Sequence, residues 1–171
     1  MHSFPCLPAL ALLALSGAAL ADCRDETLIS CDIGDGRHLE VCIERGNSPG
    51  EGAFTYAFGP RGRPELTLRE EFAAGTAIPW SGVGRAIWEG VAFRSGGHVY
   101  EAWHSVDRLQ EDPLPEAGVT ILRGESFLAS LSCGGGPGTV IAPLFTIHDA
   151  MTAAGFCRDL ARHEWRRDGC G

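Results

Sequence analysis

His98 and His104 fall on one stretch of this chain, and Asp159 and His163 stand four residues apart in another, so metal ligation is the first chemistry to weigh. Six residues of extended strand span roughly 20 Å, which keeps His98 and His104 from sharing an ion. Asp159 and His163 would face the same way on a helix, but two ligands do not complete a site. No CxxC, HExxH or CxxCH spacing occurs. The segment 32–42 fails as a calcium loop, because taking Gly36 as its turn glycine puts Cys31 in the first ligand position. No metal and no cofactor are expected.

Nucleophilic hydrolysis comes next. Gly124-Glu125-Ser126-Phe127-Leu128 lacks the second glycine of a nucleophile elbow. Ser95-Gly96-Gly97-His98 sets a hydroxyl near an imidazole, but spacing does not identify the acid that would complete a triad. The same segment suits recognition better. A hairpin tip of small residues enters a concave site that bulkier loops cannot, and His98 and Tyr100 would supply hydrogen bonds at its base. Ser95, Gly96, Gly97, His98 and Tyr100 are therefore the candidate binding residues, and no catalytic residue is assigned. The flanking aromatics Phe93, Tyr100 and Trp103 are also expected to serve as core residues.

Of the seven cysteines, Cys6 falls in an N-terminal segment with the features of a secretory signal peptide. Leu7 to Leu15 form an apolar run broken only by Pro8, and Ala19-Leu20-Ala21 is a small-x-small cleavage site, predicting a leader over 1–21. That run is shorter than the roughly 20 residues a membrane span needs. No membrane span is expected elsewhere. Asp22 is a poor residue to precede a lipidated Cys23. Cys23, Cys31, Cys42, Cys133, Cys157 and Cys170 then form an even set, the mark of a disulfide framework in a periplasmic or secreted protein.

The elements that must hold these residues follow from pattern. Residues 22–171 make one domain by length. Short runs rich in β-branched and aromatic residues recur at 27–33, 38–43, 53–58, 65–69, 86–94, 98–106, 119–123 and 127–133, separated by glycine-rich turns. About eight strands in this order predict a mainly β, antiparallel barrel or sandwich over 22–138. A helical tail is predicted over 139–171. Thr146 and Asp149 are spaced as a capping box, and Ile147, Met151, Ala154, Ala161 and Trp165 recur at helical intervals, with Gly155 a possible division into two helices.

Strand faces divide the cysteines. Ile29, Cys31 and Ile33 share one face, as do Leu39, Val41 and Ile43, while Cys42 lies opposite with His38, Glu40 and Glu44. Matching the apolar faces across a turn at Asp35-Gly36-Arg37 sets Cys31 opposite Val41, with Cys31 inward and Cys42 outward. Phe127, Ala129, Leu131 and Cys133 also share a face. The preferred pairing is Cys31–Cys133, with Cys23–Cys42 and Cys157–Cys170 completing the set.

The formal net charge is −8, and all 14 basic side chains are arginine. Such a balance disfavours nucleic acid and anionic membranes and favours a cationic partner. An exported, disulfide-tied β domain with Ser95, Gly96 and Tyr100 on a hairpin resembles the membrane-bound and periplasmic C-type lysozyme inhibitors, with Leu131-Ser132-Cys133 similar to the cysteine that ends their barrel. The resemblance covers about 27–133 and implies an eight-stranded barrel whose serine loop enters the lysozyme cleft. Three features depart from that family. The segment S-G-G-H-V-Y is one residue longer than S-G-x-x-Y, the family's lysine-containing motif has no counterpart, and the tail bearing Cys157 and Cys170 is additional. The expected function is an exported, non-catalytic binding protein acting through this loop. The alternatives are an envelope hydrolase with His98 or His104 as base, and a structural domain of the cell envelope.

Overall fold

Strand alternation organises the chain into two antiparallel sheets, seen in a computed structural model that describes residues 23–159 and 161–169. The predicted leader and Cys170 lie outside the described residues. The first sheet has the order β10-β1-β2-β3-β4, formed by β1 (Glu26–Ile33), β2 (Arg37–Arg45), β3 (Gly52–Pro60), β4 (Leu66–Glu71) and β10 (Val140–Ile141). The second has the order β5-β6-β7-β8-β9, formed by β5 (Ala77–Ile78), β6 (Ala86–Ser95), β7 (His98–Asp107), β8 (Glu116–Arg123) and β9 (Ser126–Ser132). A 3-10 turn at Phe72–Ala74 links β4 to β5. The arrangement is sandwich-like, and it contains the eight predicted strands with two short ones added.

Inward faces from both sheets build one core. Ile29, Leu39, Val41, Ile43 and Phe54 of the first sheet meet Val91, Phe93, Ala102 and Val119 of the second, all fully buried. The chain crosses between sheets just after β9. There the Cys133 amide donates to the Ala117 carbonyl, while the next amide, of Gly134, donates to the Asp32 carbonyl. The Cys31–Cys133 disulfide sits at this seam with Cα atoms 5.5 Å apart, and Cys23–Cys42 ties the first described residue to the outer face of β2. Cys157 is also disulfide-bonded.

Three local expectations are corrected. The β1–β2 register places Cys31 opposite Leu39, not Val41, because the turn is Gly34-Asp35-Gly36 and Arg37 pairs with Ile33 inside the ladder. Asp35 and Gly36 take φ of 66° and 72°, the left-handed region that Asp and Gly tolerate best, and this fixes where the turn falls. A slip of two residues leaves every side chain on its expected face.

The helical tail is the second correction. Among the described residues of the tail, α1 (Thr146–Ala153) alone is helical. Gly155, at φ 85°, ends it in a Schellman arrangement: its amide donates to the Thr152 carbonyl and the Phe156 amide to that of Met151. The chain then forms a hairpin of β11 (Cys157–Asp159) and β12 (Glu164–Arg166), so Trp165 is buried from a strand rather than from a helix. Ile147, Met151 and Ala154 do bury the predicted stripe.

The third concerns the helix start. Phe145, at φ 72°, takes the N-cap position without a side-chain bond, and Thr146 donates its hydroxyl to the Pro143 carbonyl at 2.7 Å. The predicted Thr146–Asp149 box does not form. The cap comes instead from Glu89 of β6, whose two oxygens accept the Ile147 and His148 amides at 3.3 and 3.0 Å.

The two bridges close loops of very different size, 102 and 19 residues. Chain entropy alone then assigns about 4.7 kcal/mol to Cys31–Cys133 and about 3.2 kcal/mol to Cys23–Cys42. Paired alanine substitution of Cys31 and Cys133 should therefore cost about 1.5 kcal/mol more than that of Cys23 and Cys42. Urea unfolding of the two double variants measures the order; equal losses, or the reverse order, would contradict it.

Candidate functional site

Every binding residue nominated from the sequence lies at one end of the β6–β7 hairpin. Ser95 pairs with His98, and the two residues between them, Gly96 and Gly97, have φ of 56° and 78°. Two successive positive φ values make a type I′ turn, which matches the twist of the flanking strands and strains any residue with a Cβ. A Cβ built at either glycine would meet nothing within 4 Å. The tip therefore stands clear of the body.

Below the tip, side chains lead into the core. His98 Nδ1 lies 3.1 Å from the Gly96 carbonyl, so this nitrogen carries the proton and donates. The His98 and Tyr100 rings are 6.2 Å apart, Tyr100 is 5.9 Å from Tyr56, and Tyr56 is 5.2 Å from the buried Phe93. Burial pushes the Tyr56 phenol well above its ordinary pKa, with Tyr100 adding to the rise, so it stays neutral. Glu70 of β4 braces the arm from the other sheet by accepting the Arg94 amide at 3.1 Å. Tyr100 and Phe93 thus face the inter-sheet space as expected. Trp103 does not: it lies on the outer face, its ring over Gly118, where a Cβ would stand 2.9 Å from the indole.

His104 marks the other end of the hairpin. It pairs across the ladder with Glu89, and the two side chains are 1 % and 3 % exposed. His104 Nδ1 faces the Ala142 carbonyl at 3.2 Å, and Nε2 lies 3.4 Å from the Glu89 carboxylate. Both ring nitrogens of His104 are enclosed, each facing a group of the fold.

The structure assembles a constellation that spacing did not reveal. Ser30 and Asp32 share the outer face of β1, and His38 stands opposite Asp32 on β2. Ser30 Oγ is 3.1 Å from His38 Nε2, and His38 Nδ1 is 2.9 Å from Asp32 Oδ1. Arg61 Nη2 reaches the same carboxylate oxygen at 2.8 Å. His38 is 8 % exposed and Asp32 68 %. The hydrogen bond from His38, then that from Arg61, holds the Asp32 carboxyl below the usual carboxylate range. With Cys31 set opposite Val41, His38 would have faced Gly34, and the three side chains would not have met. The signal was present as Ser30-x-Asp32 on one strand face with a histidine just past a short turn.

Cys23, Glu40 and Cys42 bring three potential ligand atoms within 4.8 Å of one another. Two of these are the sulfurs of one disulfide, which carry no thiolate while the bond is intact. Disulfide formation also commits the Cys23 sulfur that lipidation would need.

Comparison with protein-family models, curated proteins and solved structures finds no match for this chain. Its functional reading therefore rests on geometry.

The Asp32 pairing has a pH signature. A carboxylate whose folded pKa is depressed adds stability above its unfolded value, and that stability is lost as pH falls through the folded one. Carboxyl carbon NMR titration should place the Asp32 midpoint below that of an exposed aspartate. His38→Ala should raise it more than Arg61→Ala does. An Asp32 midpoint in the ordinary range, unmoved by either substitution, would contradict the arrangement.

Proposed function

We propose that this chain is an exported binding protein, periplasmic or secreted, that acts by inserting the β6–β7 tip into a concave site on a cationic partner of the lysozyme type. The observation that carries this reading is the free tip: two glycines in a type I′ turn with open space around both. A thin tip on a braced arm enters a cleft without ordering a flexible loop, which removes part of the entropic cost of association. The net charge of −8 suits a cationic partner by steering encounter. Recognition at the tip requires no chemistry; Ser95 and His98 supply polar contacts at its shoulders.

Purified mature protein should slow hydrolysis of cell-wall substrate by a C-type lysozyme. Ser95→Arg should weaken inhibition by about tenfold or more, equivalent to about 1.4 kcal/mol, while leaving the unfolding midpoint unchanged. Added salt should weaken inhibition through a slower association rate. No inhibition of any lysozyme class at micromolar protein, or full inhibition by Ser95→Arg, would contradict the proposal.

A further inference from the structure

We propose that Ser30 is an activated nucleophile, with His38 as its general base and Asp32 as the carboxylate that positions that base, and that this outer face of β1 and β2 accepts acyl groups from small neutral esters. The site lies on the first sheet and is independent of the hairpin tip.

The proton positions follow from the partners. An ionised carboxylate only accepts hydrogen bonds, so His38 Nδ1, at 2.9 Å from Asp32, carries the ring proton. In the neutral imidazole Nε2 is then a lone pair. Ser30 Oγ, at 3.1 Å, donates its hydroxyl proton to it. This is the order of contacts that a serine nucleophile requires, with the tautomer set by the acid. His38 is almost fully enclosed, so its ring is held in place and little water competes for Nε2. The Arg61 guanidinium on Asp32 Oδ1 keeps the carboxylate ionised and leaves it no reason to take the proton from His38.

Reaction would proceed by attack of Ser30 Oγ on the ester carbonyl carbon while its proton moves to His38 Nε2. The bond from that carbon to the leaving oxygen then breaks, and His38 returns the proton to the departing alcohol or phenol. Water releases the acyl group by the same route in reverse: His38 takes a proton from water, the carboxylic acid leaves, and the proton goes back to Ser30 Oγ. The sum is one ester and one water giving one acid and one alcohol.

The surroundings limit substrate and rate. Ser30 sits mid-strand between Glu40 of β2 and Val140 of β10, not on a turn, so its own backbone does not offer the oxyanion donors of a nucleophile elbow. Base catalysis alone contributes about 10²–10⁴-fold, without the further 10²–10³-fold that an oxyanion donor adds. Good leaving groups are therefore needed. The exposed Val140 side chain, which pairs with Ser30 across β1 and β10, suits a short apolar acyl group.

The test uses the mature, oxidised protein with p-nitrophenyl acetate and, in parallel, a fluorophosphonate probe. Expected are a burst of p-nitrophenol and a single acetyl or phosphonyl adduct mapped by peptide mass to Ser30, both absent in Ser30→Ala. Asp32→Asn, at an exposed position, should retain the fold and slow Ser30 acetylation by about 10²-fold, because it removes the acceptor that fixes the Nδ1 proton. His38→Gln should slow it at least as much. A network that only satisfies the buried imidazole would leave the Ser30 rate unchanged in Asp32→Asn. That result, or adducts found on residues other than Ser30, would overturn the proposal.

Discussion

A carboxylate buried between the two sheets sets the terms for the rest of this molecule. Glu89 projects inward from β6, where an unpartnered charge would cost several kcal/mol. It is satisfied by the first amides of α1 and lies opposite His104. Carboxylates are favoured at helix N-termini by the exposed amides and the helix dipole, so the same contact both satisfies Glu89 and starts α1. An eight-residue helix is too short to persist alone. Its position is thus tied to one side chain on the β6–β7 hairpin.

That tie gives the hairpin two unlike ends. At the Glu89–His104 end it is locked to α1 and to the Ala142 carbonyl. Through its middle, Val91, Ala102 and Phe93 are buried against the first sheet, with Tyr56 and Tyr100 extending the contact outward. At the far end Ser95 and His98 bracket two glycines in open space. An arm fixed at its base and packed along its length can present a narrow tip without a mobile loop. The Ser30, His38 and Asp32 group stands on the other sheet and uses a different device: an imidazole enclosed on a strand face, with one partner for each nitrogen.

Much of the fold was legible because strand faces are a strong signal. Period-two alternation placed Cys31 inward and Cys42 outward, and those faces carried the Cys31–Cys133 and Cys23–Cys42 pairs. The mainly antiparallel β class followed from the spacing of turns, and the Gly96-Gly97 tip from its composition. What failed was register and long-range partnership. Whether a turn falls at 34–36 or 35–37 leaves the faces unchanged, but it decides whether His38 meets Asp32. Thr146 and Asp149 offered a plausible local cap, yet Glu89, 57 residues earlier than Thr146, took that role because its own burial demanded donors. Trp165 kept a helical interval from Met151 by coincidence, since Gly155 had already ended the helix. Trp103 is a core residue by type, but Gly118 leaves room for its ring on the outer face.

The proposed recognition element is the free end of an anchored hairpin. Backbone amide NMR of residues 22–171, titrated with a C-type lysozyme, tests this proposal most directly. The largest shift changes or broadening are expected at Ser95, Gly96, Gly97 and His98, while the Ile147 and His148 amides bonded to Glu89 keep their positions. Perturbation centred on β1 and β2, or none at Gly96 and Gly97 at saturating lysozyme, would contradict it.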